Sequence, residues 1–206
     1  DWISEKLNYS NRSYEKLNEV EKKDLDDHAL SSPHQGVMAE VKPLTWLRLE
    51  DYVEKNTDKM CLVLLDQLTN SQNIGSILRT ASAFNIDGVV LTKKNTPVEN
   101  GLMARAAAGA IETMPLIRVT NLSRSIEYLK KNNFFVICLE KHGKENIRDC
   151  AGNPQTALVL GSENLGLRRL TKEKLSTSAK IPIAVQTESL NVSNAAAIAL
   201  YVIQNS

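Results

Sequence analysis

The sequence predicts an α/β fold in which a parallel sheet is covered by helices on both faces. Two observations predict it. From residue 61 onward six short segments are apolar almost throughout: CLVLLD (61–66), GVVLT (88–92), MPLIRV (114–119), FFVICLE (134–140), ALVLG (157–161) and AKIPIAV (179–185). A strand exposed on one face would alternate apolar and polar residues, whereas a strand buried on both faces has no need to. Stretches with helical spacing lie between them, at 74–84, 98–110, 122–132 and 167–176, with a last helix at 192–204. Strands alternating with helices are the signature of parallel βαβ units.

Ahead of this pattern the chain is polar. Residues 1–30 are helix-prone and end in the acidic run EKKDLDD, and SSPHQG (31–36) is a loop by its Ser, Pro and Gly. VMAEV (37–41) reads as a short strand closed by Pro43. WLRLEDYVEK (46–55) reads as a helix with Trp46, Leu47, Leu49 and Tyr52 or Val53 on its apolar side. Residues 60–206 are therefore expected to form one domain, and residues 1–59 a linker or the remnant of a smaller lobe.

The chain has 206 residues, 42% of them hydrophobic and 24% charged, which suits one sizeable core. No apolar run reaches the ~18–20 residues of a membrane span, and the polar first residues do not form a signal peptide. The three cysteines, Cys61, Cys138 and Cys150, are odd in number and form no C-x-x-C pair, which suggests a reducing, cytoplasmic setting. Cys61 and Cys138 sit in apolar runs as small core residues. His28, His34 and His142 are too scattered to build a zinc site, so no metal is expected. The net charge is only +1, but acidic residues outnumber basic ones before residue 60 and the balance reverses after it. A mildly basic second part can approach phosphate.

In parallel sheets ligands bind outside the carboxyl ends of the strands. Three loops there carry polar residues. In LDQLTNSQNIGSILRT (65–80), Asn70 or Ser71 caps a helix, with Arg79 solvated; alternatively Asn73 and Arg79 face the strand ends, with Gly75 allowing close approach. In ALVLGSENLGL (157–167), two glycines flank Ser162 and Glu163. That is either a turn with an acidic helix start or a loop whose amides face a ligand. In IPIAVQTESLNVSNAAAIALYVI (181–203), Ser189, Asn191, Ser193 and Asn194 precede an apolar helix, and four polar residues exceed what one cap needs. There is no G-x-S-x-G elbow, no P-loop and no G-x-G-x-x-G after the first strand, so acyl transfer, nucleoside triphosphate and dinucleotide sites lack support.

NIGSILRTA (73–81), LVLGSENLGL (158–167) and SLNVSNAAAIALY (189–201), in that order, resemble the three motifs of the SpoU (TrmH-like) branch of the SPOUT methyltransferases. The intervening GLMARAAAGAIETMPLIRVTNL (101–122) resembles that family too, and the likeness covers about residues 34–206. The resemblance implies a SPOUT parallel sheet whose C-terminal part forms a deep trefoil knot, a rare exception to un-knotted chains. It implies an S-adenosylmethionine cofactor, held largely by main-chain groups beside Gly161, Ile181 and Leu190, with Leu139 and Glu140 lining the same pocket. The implied reaction is methyl transfer to a ribose 2′-hydroxyl of RNA. Arg79 matches the first-motif arginine. A guanidinium is a poor base, so its expected role is to orient phosphate and hydroxyl and stabilise developing charge. Asn73 would hold the substrate or Arg79, and Glu163, Ser189 and Asn191 would organise the site. Family members are homodimers, and the apolar last helix suits either an interface or a core.

SPHQGVMAEVKPL (32–44) resembles the junction after an N-terminal RNA-binding lobe in the ribosomal-RNA guanosine 2′-O-methyltransferases of the branch. That points to large-subunit ribosomal RNA and to a lobe missing or shortened before Asp1. Two departures stand out: Asn164 replaces a frequent Gly, and Gln72 a frequent His. A transfer-RNA methyltransferase, a non-catalytic RNA-binding assembly factor and a dinucleotide enzyme are the competing readings. Intact Arg79, Glu163, Ser189 and Asn191 weigh against the second, and the missing glycine fingerprint against the third.

Overall fold

A computed structural model describes residues 16–29, 34–56, 59–97, 99–162 and 166–205. The chain divides between Lys42 and Pro43 into two units. In the first, helix α1 covers Lys22–Ala29, with Asp24 in its first turn and His28 in its last, as the helix dipole favours. The His34 ring donates to Asp26 Oδ1 at 2.8 Å from Nε2 and accepts from the Gly36 amide at 3.0 Å. The strand expected at 37–41 is absent: the segment is irregular and exposed, with Val41 at 73%. A lone extended segment without a partner ladder has nothing to hold it as a strand.

The second unit is a seven-stranded sheet: β1 Met60–Asp66, β2 Gly88–Thr92, β3 Leu116–Val119, β4 Phe135–Leu139, β5 Glu145–Asn146, β6 Gln155–Gly161 and β7 Thr177–Lys180. The order is β3-β2-β1-β6-β4-β7-β5, and every described pairing is parallel. Leu47 adds a parallel bridge to Ile117 beyond β3. Helices α2 (Leu49–Lys55), α3 (Ser71–Ala83), α4 (Gly101–Ala107), α5 (Ala110–Thr113), α6 (Leu122–Lys131), α7 (Arg169–Lys172) and α8 (Val192–Gln204) complete it.

The continuous apolar strands are explained by burial on both sides. Cys61, Val63 and Leu65 of β1 face a core shared with α3, α4, α5 and α8. Leu62 and Leu64, between them, face a second core with α2 and α6. Burial pushes the Cys61 and Cys138 thiols up to about 12, with the negative charges of Asp87 and Glu140 adding respectively, so these cysteines act as core residues and not nucleophiles.

Several expected elements differ. The helix placed at 46–55 begins only at Leu49, because Trp46–Leu47 run extended along β3: the Leu47 amide donates to Leu116 O and Arg118 N to Leu47 O. The helix placed at 98–110 breaks into α4 and α5 where Ala108 and Gly109 turn left-handed, at φ 49° and 91°. The helix placed at 167–176 shrinks to α7, since Arg168 is extended and anchored elsewhere. The strand placed at 179–185 stops at Lys180: Pro182 has no amide to donate, and Val185 is 99% exposed. β5 and the 3₁₀ turn Ile147–Cys150 had no apolar signal to announce them.

Gly75 sets the crossing of α3 and α4. A Cβ there would strike Met103 O and stand 2.7 Å from Ala106 Cβ and 3.0 Å from Ala107 N. Gly75→Ala is expected to cost about 1–3 kcal/mol by over-packing. Urea denaturation measures it, and an unchanged midpoint would contradict the close crossing.

Candidate functional site

The strand order carries a switch point. The chain starts in the middle at β1, moves out through β2 and β3, then crosses to β4, and β6 later fills the gap between β1 and β4. The crevice outside the carboxyl ends at such a point is where ligands bind. Asp66, Gly161 and Leu139 end the neighbouring strands β1, β6 and β4, and Ile181 follows β7 directly. Four of the five expected cofactor residues, Leu139, Glu140, Gly161 and Ile181, thus stand side by side on one edge of the sheet. All four are half-buried.

Leu190, the fifth, is half-buried just before α8. The chain from 181 to 191 returns from β7 towards β1, past the ends of β4 and β6, and its arrival is fixed by a hydrogen bond. Asn191 Nδ2 donates to Asn73 Oδ1 at 3.2 Å, joining the third polar loop to the first. Asn191 also caps α8: its Oδ1 accepts from the Ser193 amide at 2.9 Å and the Ser193 hydroxyl at 2.6 Å. Asn70, not Asn73, caps α3, accepting from the amides of Gln72 and Asn73. Asn73 is thereby left for the contact with Asn191.

Arg79 projects from the middle of α3, about 9 Å further along the axis and about 120° around from Asn73. Its side chain is exposed and makes no hydrogen bond or ion pair with the described residues. Ser189 is exposed on the 181–191 segment. Glu163 lies outside the described residues, as does Asn164.

The walls are held by specific contacts. A Cβ on Gly161 would stand 2.5 Å from Gly166 C and 2.8 Å from Leu167 N, so strand end and returning loop touch backbone to backbone. The Gly166 amide donates to Ser162 O at 2.8 Å, and Gly166 is left-handed at φ 62°. The Glu140 amide donates to Ala179 O at 2.9 Å, tying the end of β4 to β7. Its carboxylate meets Lys172 Nζ at 2.5 Å, and this hydrogen bond holds the Lys172 ammonium above its ordinary range.

Sequence reading missed Asp66 and Arg168. The Asp66 carboxylate is fully buried and receives Arg168 Nε at 2.9 Å and Nη2 at 2.8 Å on Oδ1, and the Arg168 amide at 3.2 Å on Oδ2. The signal available was an acid closing an apolar strand, but its partner sits 102 positions away. A separate hollow between Leu44, Trp46, Ile74, Leu78 and Met103 lies off this edge. Its polar groups serve each other: Trp46 Nε1 donates to Glu99 at 2.6 Å, and Arg118 stacks on the indole at 3.6 Å.

The arrangement brings half-buried apolar side chains (Leu139, Ile181, Leu190) to or next to the strand ends, and leaves the Arg79 side chain exposed on α3 without a partner among the described residues. No group of three or more metal-binding side chains occurs among the described residues. These features define an α/β protein whose polar loops gather outside the carboxyl ends of a parallel sheet, where the third loop is hydrogen-bonded to the first. The chain belongs to the SpoU rRNA methylase family, which matches residues 60–201. It is 38% identical over 178 residues to a protein of Staphylococcus haemolyticus named as a TrmH family tRNA/rRNA methyltransferase, across 85% of this chain and 72% of that one. YacO of Bacillus subtilis, named likewise, is 37% identical over the same shares. Among solved structures it is similar to the SpoU methyltransferase AviRb of Streptomyces viridochromogenes, in complex with AdoMet, at 26% identity and a TM-score of 0.67. That likeness covers 71% of this chain and 57% of AviRb, less than two thirds of its length. The A. aeolicus TrmH/SpoU tRNA modifying enzyme is similar at 25% identity and a TM-score of 0.61, over 76% of this chain and 80% of that one.

Proposed function

We propose that this chain transfers a methyl group from S-adenosylmethionine to a ribose 2′-hydroxyl of RNA, with a guanosine of large-subunit ribosomal RNA as its target. The observation that carries the reading is the Asn191–Asn73 bond, which closes the third motif onto the first over the carboxyl ends of the sheet. The residues present fit the cofactor. An adenine needs flat apolar walls and a few main-chain partners, and Leu139, Ile181 and Leu190 with the ends of β4, β6 and β7 supply that chemistry.

Bound S-adenosylmethionine supplies a methyl group activated on a positive sulfur. The chain's part is placement and charge. Arg79, solvent-facing and without a side-chain partner among the described residues, holds the substrate phosphate and stabilises the negative charge growing on the 2′-oxygen as its proton passes to solvent water. Asn73 holds the substrate or Arg79 in place, and Glu163, Ser189 and Asn191 organise the site.

The late insertion of β6 and the return of 181–191 across the strand ends support a trefoil knot here. Exposed Ile198 (40%) and Tyr201 (57%) on α8, with Phe84 edge-on at 5.8 Å, support a homodimer that covers them. Residues 60–206 act as the methyltransferase domain. Residues 1–59 are a linker or the remnant of an RNA-binding lobe, and the resemblance of the 32–44 segment favours ribosomal over transfer RNA. Three free, buried thiols fit work in the reducing cytoplasm.

The test is incorporation of radiolabelled methyl from S-adenosylmethionine into ribosomal and transfer RNA, followed by alkaline hydrolysis. A 2′-O-methyl group protects the adjacent linkage, so label is expected in an alkali-resistant dinucleotide from ribosomal RNA. Label in transfer RNA alone would overturn the substrate assignment. Label on a base, in alkali-labile products, would overturn the ribose assignment.

A further inference from the structure

We propose that the Asp66–Arg168 pair is a positioning clamp that sets the width of the cofactor cleft; this rests on the function proposed above. Asp66 closes β1 in register with Gly161, which closes β6. Its side chain has no exposure at all, and a buried carboxylate is costly unless donors satisfy it. All three of its donors come from Arg168, two from the guanidinium fork and one from the backbone amide. Replacing such a pair with apolar residues is often neutral or favourable for stability, so holding α7 in place does not by itself require it. What the fork adds is orientation, because planar donors fix the angle as well as the distance.

That angle is transmitted to the cleft. Arg168 directly follows Gly166 and Leu167, whose backbone lies against Gly161 with no room for a methyl group. Leu167 is itself buried in the core on the side of α2 and α6, so the segment cannot swing freely about its apolar anchor. A shift of Arg168 therefore becomes a shift of the Gly166–Leu167 backbone, and hence of the wall over Gly161. The other end of the clamp is β1, which leads within a few residues into the cap of α3 and Asn73. One ion pair thus ties the cofactor wall at residues 166–167 to the end of β1. Arg168 touches neither the cofactor nor the substrate in this account; it acts through residues 161 and 166–167.

The experiment uses the whole chain with Arg168→Ala, Arg168→Lys, Asp66→Asn and the double variant Asp66→Asn/Arg168→Ala. Each is checked for folding by circular dichroism, titrated calorimetrically with S-adenosylmethionine well below its thermal midpoint, and assayed for KM and kcat with RNA. Arg168→Ala is expected to raise the Kd for S-adenosylmethionine about tenfold and leave the KM for RNA unchanged. Arg168→Lys, which keeps the charge without the fork, should recover only part of the loss. The double variant should bind no more weakly than Arg168→Ala, because the two residues act as one unit. A folded Arg168→Ala whose Kd stays within twofold of wild type would overturn the clamp, even with a lowered thermal midpoint. If Arg168→Ala does not fold, Asp66→Asn decides: it keeps the shape and an acceptor oxygen, and a Kd raised about threefold supports the clamp while an unchanged one overturns it. A wild-type protein that binds no S-adenosylmethionine overturns the underlying function, and the clamp with it.

Discussion

An Arg79→Ala variant is expected to fold, to bind S-adenosylmethionine as tightly as wild type, and to transfer methyl about 10²–10³-fold more slowly. The separation follows from where Arg79 stands. It is exposed on α3 with no partner among the described residues, so removing it leaves no buried group unsatisfied and no ion pair broken. Substitutions of that kind usually move stability by less than about 0.5 kcal/mol. Arg79 is not among the residues proposed to hold the cofactor, so calorimetry should not register the change. What is lost is charge stabilisation at the reacting hydroxyl. Arg79→Lys should fall in between, since an ammonium supplies the charge without the two-pronged geometry. A variant that keeps wild-type kcat would remove Arg79 from the chemistry and shift attention to Ser189 and Asn191.

The second large effect is at Gly161. Gly161→Ala places a methyl group against the Gly166–Leu167 backbone, which is not the yielding tip of a flexible side chain. Strand end and loop must part. The expected result is a loss of about 1–3 kcal/mol in stability and at least a tenfold weaker affinity for S-adenosylmethionine. Gly101→Ala is the control, because nothing lies within 4 Å of a Cβ at the start of α4 and stability should not fall. Unchanged cofactor affinity in Gly161→Ala would show that the wall beside β6 does not shape the cleft.

How much of this was legible depended on whether the cause was local. β1, β2 and β6 were readable because burial on both faces writes an uninterrupted apolar run, and α8 because it is apolar behind a polar start. The third polar loop carried more polar residues than one cap needs, while the first by itself left a cap and a site equally open; Asn70, one of the two expected caps, satisfies the α3 amides, and Asn73 meets Asn191. What could not be read depended on distant partners. The break at Ala108–Gly109 sits in an alanine-rich stretch, where one glycine was the only local signal against continued helix. Arg168 is drawn out of helix by an aspartate from another strand. Trp46 and Leu47 are extended because the edge of β3 offers them hydrogen bonds. Asp66 looked like an ordinary strand end, and only the fold reveals that its carboxylate has no access to water.

The position of β6 also dictates an order of events during synthesis. β1 can pair with β2 as soon as residue 92 has emerged, but its other neighbour begins only at Gln155. Until then one flank of β1 and both flanks of β4 stand as open edges, and a nascent chain with unpaired apolar strands is prone to associate with its neighbours. Closing the sheet joins residues 60 and 155, and contacts so far apart in sequence form slowly. The row of strand ends proposed to hold the cofactor, with Gly161 of β6 between β1 and β4, is therefore complete only when most of the chain exists, and no shorter amino-terminal product of translation could hold a ligand there.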